Sequence, residues 1–555
     1  MDHGNSRGGR TGPQHIAALD RKLRTLPAIR NVLDRPRSEF SILRLLLRGD
    51  EFMNRFSAAF VVALVVLFAV WAWFGSRAAR FEFDELLEIS AASAPTSHDV
   101  LSFLASGVDF NPPLSHFLIR AAMSQLGDAE WVTRLPAFLG FVVLILAMYA
   151  LVARRCTPAY GIVAMLLTIG LPLRTYAIQA RPYGIVLGLS ALAVTFYLQA
   201  VEYRSRTFSL CALAICTGAM VASHYYEVLV VAVLLVMELI RGWETNRMDW
   251  PLVACCIGPP VVVLFLLRRA IVQQKQVLTH YFARGNLLSF DHGYDDLKLD
   301  PLIYCVAFML LIGALSLVRG ASDDFVPAAR FRAVLRGREV QLGLALLSLP
   351  IVGAFVTQFV THAYVPRYFL AAGIGLVICC CYVVRFLSPA VPGLTLILVL
   401  SIALGFGKSI LQEKTRSAEA LPALASLTAQ WTPLLFDSPA AYERIYHYFP
   451  ALRDNLWVIA DPAASMRYRN YDTDDRIMLA LAAHGRAQAV TLSAAVRKWP
   501  QFRLVPRSAD SVWALKCIMD AGVPVHVSQP FGSSNFIFDV AVSADSVAKI
   551  DACSQ

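Results

Sequence analysis

Charge is scarce in this chain. Only 16% of its 555 residues are Asp, Glu, Lys or Arg, while 57% are hydrophobic, and the mean hydropathy is +0.54. That balance excludes a disordered chain and an ordinary soluble protein, and it implies a polytopic membrane protein. The Asn-x-Ser/Thr sequon is missing, which favours a bacterial envelope over a eukaryotic lumen. Internal repeats and low-complexity tracts are missing as well. So is any cysteine spacing suited to a metal. Cys211, Cys216, Cys255, Cys256, Cys305, Cys379, Cys380 and Cys381 lie in apolar runs and read as small hydrophobes. Cys517 and Cys553 stand in a polar region, where they can pair or stay free.

What is present is apolar length. Ser57–Gly75, Leu135–Ala153, Pro182–Val201, Pro301–Val318, Val340–Val360, Tyr368–Val384 and Ser388–Gly407 are long apolar runs. Ala159–Leu173, Phe208–Ala222, Tyr226–Ile240 and Pro251–Leu267 are shorter ones. Together they predict about eleven transmembrane helices. Gly258-Pro259-Pro260 is expected to break one of them, a feature that transporters share.

The formal charge of +10 does not call for nucleic acid, because its distribution follows the membrane. Eleven arginines and lysines precede the first run, from Arg7 to Arg55, and alternate loops repeat the bias with Arg154-Arg155, Arg204 and Arg206, Arg241 and Arg247, Arg319 to Arg338, and Arg385. The positive-inside rule then sets the N-terminus in the cytoplasm, the first run as a signal anchor, and the C-terminus outside. The expected organisation is a basic cytoplasmic arm (1–55), a transmembrane domain (56–407) with large outer loops at 76–134 and 268–300, and a small extracytoplasmic α/β domain (408–555). Strands are expected at 433–436, 456–460 and 523–527, alternating with helices at Ala440–Tyr448 and Asp474–His484. In the first outer loop, helices are expected near Asp84–Ala92 and Leu114–Leu126.

Ionisable groups inside membrane spans mark function, yet the middles of these spans are nearly free of charge. Polar groups gather instead at the outward ends: Glu82, Asp84, Glu85, Asn111, His116, Glu130 and Arg134 in the first outer loop, then RTYAIQARPYG (174–184), SHYYE (223–227) and HAYVPRY (362–368). Outward arginines run against the positive-inside bias, so each asks for an anionic partner. Two readings of FEFDELLEIS (81–90) stand open. One is a solvated helix start with Asp84 as N-cap. The other is a catalytic carboxylate at a membrane surface.

The motifs FDE (83–85), NPPL (111–114), EWVTRLPA (130–137), YAIQARPYG (176–184), SHYYEVLV (223–230) and PRYFL (366–370) resemble those of the GT-C superfamily of polyprenyl-phosphate-sugar-dependent glycosyltransferases. The bacterial aminoarabinose-transferase and RgtA/B/C/D-like branch is the nearer likeness, with protein O-mannosyltransferases as relatives. The family has His before Pro-Pro-Leu; this chain has Asn111, so no role is carried over for that side chain. The resemblance implies sugar transfer, with inversion, from a polyprenyl-phosphate donor to a lipid or glycan hydroxyl at the outer face of a bacterial inner membrane. It makes Asp84 the catalytic base and Glu85 a neighbour that orients the acceptor or binds a cation. Arginine forks suit a leaving phosphate, so Arg181 and Arg367 lead the donor site, followed by Arg134 and His224, with Gln179, Tyr225 and Tyr368 beside them. No obligatory metal is expected, and a divalent cation is allowed. The alternative is a multi-span transporter of an anionic or sugar solute.

Overall fold

The computed structural model describes residues 51–277, 281, 283, 285–290, 292–297, 336–361, 363–387, 405, 432–507, 513–531 and 535–554. Nearly all of the expected arm 1–55, the runs Pro301–Val318 and Ser388–Gly407, and the start of the expected outer domain up to residue 431 lie outside them. So does His362.

Apolar length becomes helix. The first part of the chain forms α1 (Ser57–Ala78), α2 (Phe83–Ala92), α3 (Ser97–Ala105), α4 (Leu114–Leu126), α5 (Glu130–Arg155), α6 (Pro158–Gly170), α7 (Tyr183–Val201), α8 (Arg206–Ser223), α9 (Val228–Thr245) and α10 (Trp250–Val277). After an interval come α11 (Arg338–Leu347), α12 (Leu349–Val356) and α13 (Ala372–Leu387). Among the described residues, α1, α5, α7, α8 and α10 are long and apolar enough to cross a membrane, which makes the protein multi-pass. Two bent pairs bring the number to as many as seven if each is one span: α6 with the 3-10 turn Pro172–Ile178, bent by 71°, and α11 with Leu349–Thr361, bent by 44°. α9 and α13 fall on two further expected spans.

Two expectations are corrected here. Helix α10 runs unbroken through Pro259 and Pro260; a Cβ on Gly218 of α8 would lie 2.9 Å from the Pro259 Cβ, so the ring packs closely against the next helix instead of ending its own. The expected outer loop 76–134 holds three helices rather than two, because Thr96 caps α3 by accepting from the Asp99 amide while Asp99 accepts from the Thr96 amide, a capping box.

α5 and α7 approach backbone to backbone. A Cβ on Gly184 would lie 2.2 Å from the Ala137 carbonyl oxygen, and one on Gly188 2.2 Å from that of Gly140. This small-xxx-small spacing is how membrane helices come close without a hydrophobic driving force. It fixes the end of α7 that follows Arg181 against the end of α5 that carries Arg134.

The C-terminal region forms the expected α/β unit. Its elements are β1 (Leu434–Phe436), α14 (Pro439–Tyr448), β2 (Leu456–Ile459), α15 (Pro462–Arg469), α16 (Thr473–Ala483), β3 (Ala489–Val490), α17 (Leu492–Lys498), β4 (Gln501–Val505), α18 (Trp513–Asp520), β5 (Val525–Phe531), β6 (Asn535–Ala541) and α19 (Ala544–Ser554). The sheet order is β3-β2-β1-β4-β6-β5, parallel through β4 and antiparallel beyond it. Cys517 and Cys553 are joined in a disulfide with Cα atoms 5.9 Å apart. The unit is not a separate bead. Leu87, Ala91, Val100, Phe103 and Val108 of the first outer loop share one buried core with Leu434, Phe436, Tyr442 and Ile445. The Phe81 amide donates to the Tyr448 hydroxyl at 2.9 Å, and Tyr448 in turn donates to Glu130.

Candidate active site

Helix α2 opens at Glu82, not at Asp84. The Glu82 amide donates to Glu85 Oε2 at 3.0 Å, which leaves Asp84 in the first turn with its side chain free of capping duty. One helical turn on, Glu88 shares its face. Asp84 is 33% exposed; Glu88 is fully buried.

Asp84 meets both leading arginines. Its Oδ2 lies 2.7 Å from Arg367 Nη2 and 3.5 Å from Arg181 Nη2, and Arg181 Nη1 donates to the Asp84 carbonyl at 3.0 Å. The three side chains come from α2, from the turn before α7 and from the 3-10 turn Pro366–Phe369. They line one cavity of about 200 Å³ with Phe83, Leu87, Asp109, Asn111, Tyr281 and Tyr368. Its opposite wall belongs to the α/β unit: Pro439, Ala440, Thr473, Asp474, Ile477 and Arg507. The Tyr281 and Tyr368 hydroxyls are 3.3 Å apart. The His224 ring backs this wall, 4.9 Å from Tyr368 and 5.6 Å from Tyr183 between centroids.

Other expected site residues do not face the cavity. Glu85 is buried and accepts from Arg134 Nε (2.9 Å), Arg134 Nη2 (3.1 Å), the Ala180 amide (2.7 Å) and the Glu82 amide. Arg134 is equally buried and also donates to the carbonyls of Ser76 and Ala79, at 2.7 and 2.8 Å. The pair is a clamp joining α1, α2, α5 and the turn before α7, so Glu85 and Arg134 hold the site rather than line it. Gln179 contributes its carbonyl to the Arg181 amide at 2.8 Å. Its side chain, like those of His224 and Tyr225, lies outside the lining. Arg174 donates to the Gly170 and Leu171 carbonyls, capping the broken helix as basic side chains do at C-termini.

Behind Arg181 lies a buried group that sequence reasoning did not assemble. His116 Nε2 sits 3.4 Å from Asp109 Oδ2 and 3.8 Å from Glu88 Oε1, while its Nδ1 faces the Pro112 carbonyl at 3.3 Å. Asn111 Nδ2 donates to Asp109 Oδ1 at 2.9 Å and to Glu88 Oε2 at 3.2 Å, so the residue that departs from the family motif is a neutral donor between two acids. Burial pushes Glu88 up to about 7, against the charge of His116. Burial also opposes ionisation of Asp109, but the His116 hydrogen bond and the Arg181 charge hold it well below the usual range. Glu88, Asp109 and His116 place ligand atoms within 4.8 Å of one another and are the groups that could hold a divalent cation. Arg181 already brings positive charge to 3.9 Å from Asp109 and 4.0 Å from Glu88.

The family model described as dolichyl-phosphate-mannose-protein mannosyltransferase matches residues 111–267. The fold matches that of ArnT from Cupriavidus metallidurans in the apo state, with a TM-score of 0.54 and 14% identity over 87% of this chain and 98% of that one. A second structure of the same ArnT, bound to undecaprenyl phosphate, matches with a TM-score of 0.53 and 13% identity over 88% of this chain and 99% of that one. No curated protein sequence matches this chain.

Proposed function

We propose that the protein is an inverting membrane glycosyltransferase, moving a sugar from a polyprenyl-phosphate donor to an acceptor hydroxyl, with Asp84 as base. The observation that carries this reading is the meeting of Asp84 with Arg367 and Arg181 at the wall of a cavity. A carboxylate between two guanidinium groups and with a third of its surface exposed is accessible. An arriving phosphate competes for both arginines, whose forks match its oxygens, and the carboxylate is thereby freed. Asp84 then takes the acceptor proton as the acceptor oxygen bonds to the anomeric carbon. The bond from that carbon to the phosphate oxygen breaks, and the lipid phosphate leaves with the electron pair, its charge held by Arg181 and Arg367. Undecaprenyl phosphate in the ArnT structure supports a lipid-phosphate donor. The proposed setting is a bacterial inner membrane with the N-terminus cytoplasmic, which puts the α/β unit and the cavity on the periplasmic side. Helix α10 runs through Pro259 and Pro260, so that site supplies no break of the kind transporters use; the bent pairs lie at α6 and α11 instead. Asp84→Asn tests the assignment. In proteoliposomes it should fold and insert as the parent does, while sugar transfer falls by about 10²–10⁴-fold. Undiminished transfer would remove Asp84 from the chemistry.

A further inference from the structure

The parallel strands run β3-β2-β1-β4. The chain steps from β1 to β2 to β3 in one direction, then crosses back to β4 on the other side of β1. The direction reverses between β1 and β4, and open α/β sheets bind ligands outside the carboxyl ends of their strands at such a reversal. In this protein those ends lead into Asp437 after β1 and Arg507 after β4, and the Asp437 amide donates to the Val505 carbonyl at 3.0 Å between them. The crevice does not open to bulk solvent alone. Arg507, the first residues of α14 (Pro439, Ala440) and those of α16 (Thr473, Asp474) form the wall of the cavity opposite Asp84.

We propose that this crevice is the acceptor subsite, in which Arg507 and Asp474 hold a carbohydrate ring so that one of its hydroxyls faces Asp84. The proposal rests on the glycosyl-transfer reading and gives the acceptor a place and a class. Two features carry it. Arg507 Nη2 and Asp474 Oδ2 pair at 2.7 Å and cancel in charge, which suits a neutral ligand. A sugar hydroxyl both donates and accepts, and this wall offers both functions. Asp474 supplies carboxylate oxygens, and Arg507 Nη1 is a buried donor atom without a hydrogen-bond partner among the described residues. Ile477, Phe83 and Leu87 line the same cavity, giving apolar surface for the C–H face of a ring.

The test uses the full chain in nanodiscs with two probes: methyl pyranosides of glucose, galactose and mannose, read by saturation-transfer NMR, and undecaprenyl phosphate, read by the shift in the thermal midpoint. The double variant Asp474→Asn/Arg507→Gln removes both charges, so neither partner is left buried alone. It should lose pyranoside binding at least about tenfold, the scale of one charge-assisted hydrogen bond, and keep the undecaprenyl-phosphate shift, which also reports an intact fold. Arg507→Lys, which keeps the charge and loses the fork, should weaken pyranosides in the same direction. The proposal is overturned if no pyranoside binds the parent protein, if binding survives the double variant, or if the undecaprenyl-phosphate shift is lost instead. If pyranosides bind as expected but undecaprenyl phosphate does not shift the parent protein, the subsite stands and the lipid-phosphate reading falls.

Discussion

Glu85 and Arg134 set up a test of structure against chemistry. Both are buried, and each is the other's charge partner through two hydrogen bonds. Arg134→Met leaves the Glu85 carboxylate buried with only the Ala180 and Glu82 amides. Glu85→Gln leaves a buried guanidinium with only the Ser76 and Ala79 carbonyls. Removing one member of a buried ion pair costs about 3–5 kcal/mol, chiefly because the other is stranded, and removing both costs far less than the sum. A double-mutant cycle should therefore return a coupling of at least about 2 kcal/mol, well above the roughly 0.5 kcal/mol scatter of independent sites. Denaturant titration of the micelle-solubilised protein, followed by tryptophan fluorescence, gives the four free energies. Transfer per folded molecule should stay near the parent value in the double variant. Single-variant losses below about 1 kcal/mol, or additive ones, would refute the clamp. A stable Glu85→Gln protein without activity would return Glu85 to the reaction.

Gly184→Ala puts a methyl group where only 2.2 Å separates it from the Ala137 carbonyl oxygen; the overpacking should cost about 1–3 kcal/mol, measured as a lower thermal midpoint. Reduction of Cys517–Cys553, which are 36 residues apart, should destabilise the α/β unit by about 4 kcal/mol on the chain-entropy scale, read by proteolysis with and without dithiothreitol. Glu88 titrates near 7 when folded and near 4.5 when unfolded. The folded chain therefore holds a proton that the unfolded chain sheds, and this group's contribution to stability is full below about pH 4.5 and declines as pH rises through 7. Glu88→Gln should flatten that part of the stability profile. The opposite contribution of Asp109 falls at lower pH, because its folded pKa is depressed.

Periodicity and charge placement made much of this legible. The spans followed from apolar length, and arginines that violate the positive-inside bias pointed to Arg181 and Arg367, which do meet Asp84. The strands at 434–436 and 456–459 and helices α14 and α16 fall where short apolar runs alternating with helical patterns predicted them. What stayed hidden depends on pairing between distant residues. Glu85 and Arg134 are 49 residues apart, and nothing local says that they cancel each other. The one-turn spacing of Asp84 and Glu88 was visible; the convergence of Asp109 and His116 on Glu88 was not, because it depends on how α2 and α4 pack. Arg507 and Asp474 lie in ordinary soluble-looking sequence, and only the sheet's crossing order brings them to the cavity.

The contact between α5 and α7 also bears on traffic. Where two spans meet through bare backbone, no slot remains wide enough for an isoprenoid tail. On the proposed function, a lipid-borne donor enters from some other flank of the bundle, and the end of α7 beside Arg181 is a fixed post to which the phosphate would move.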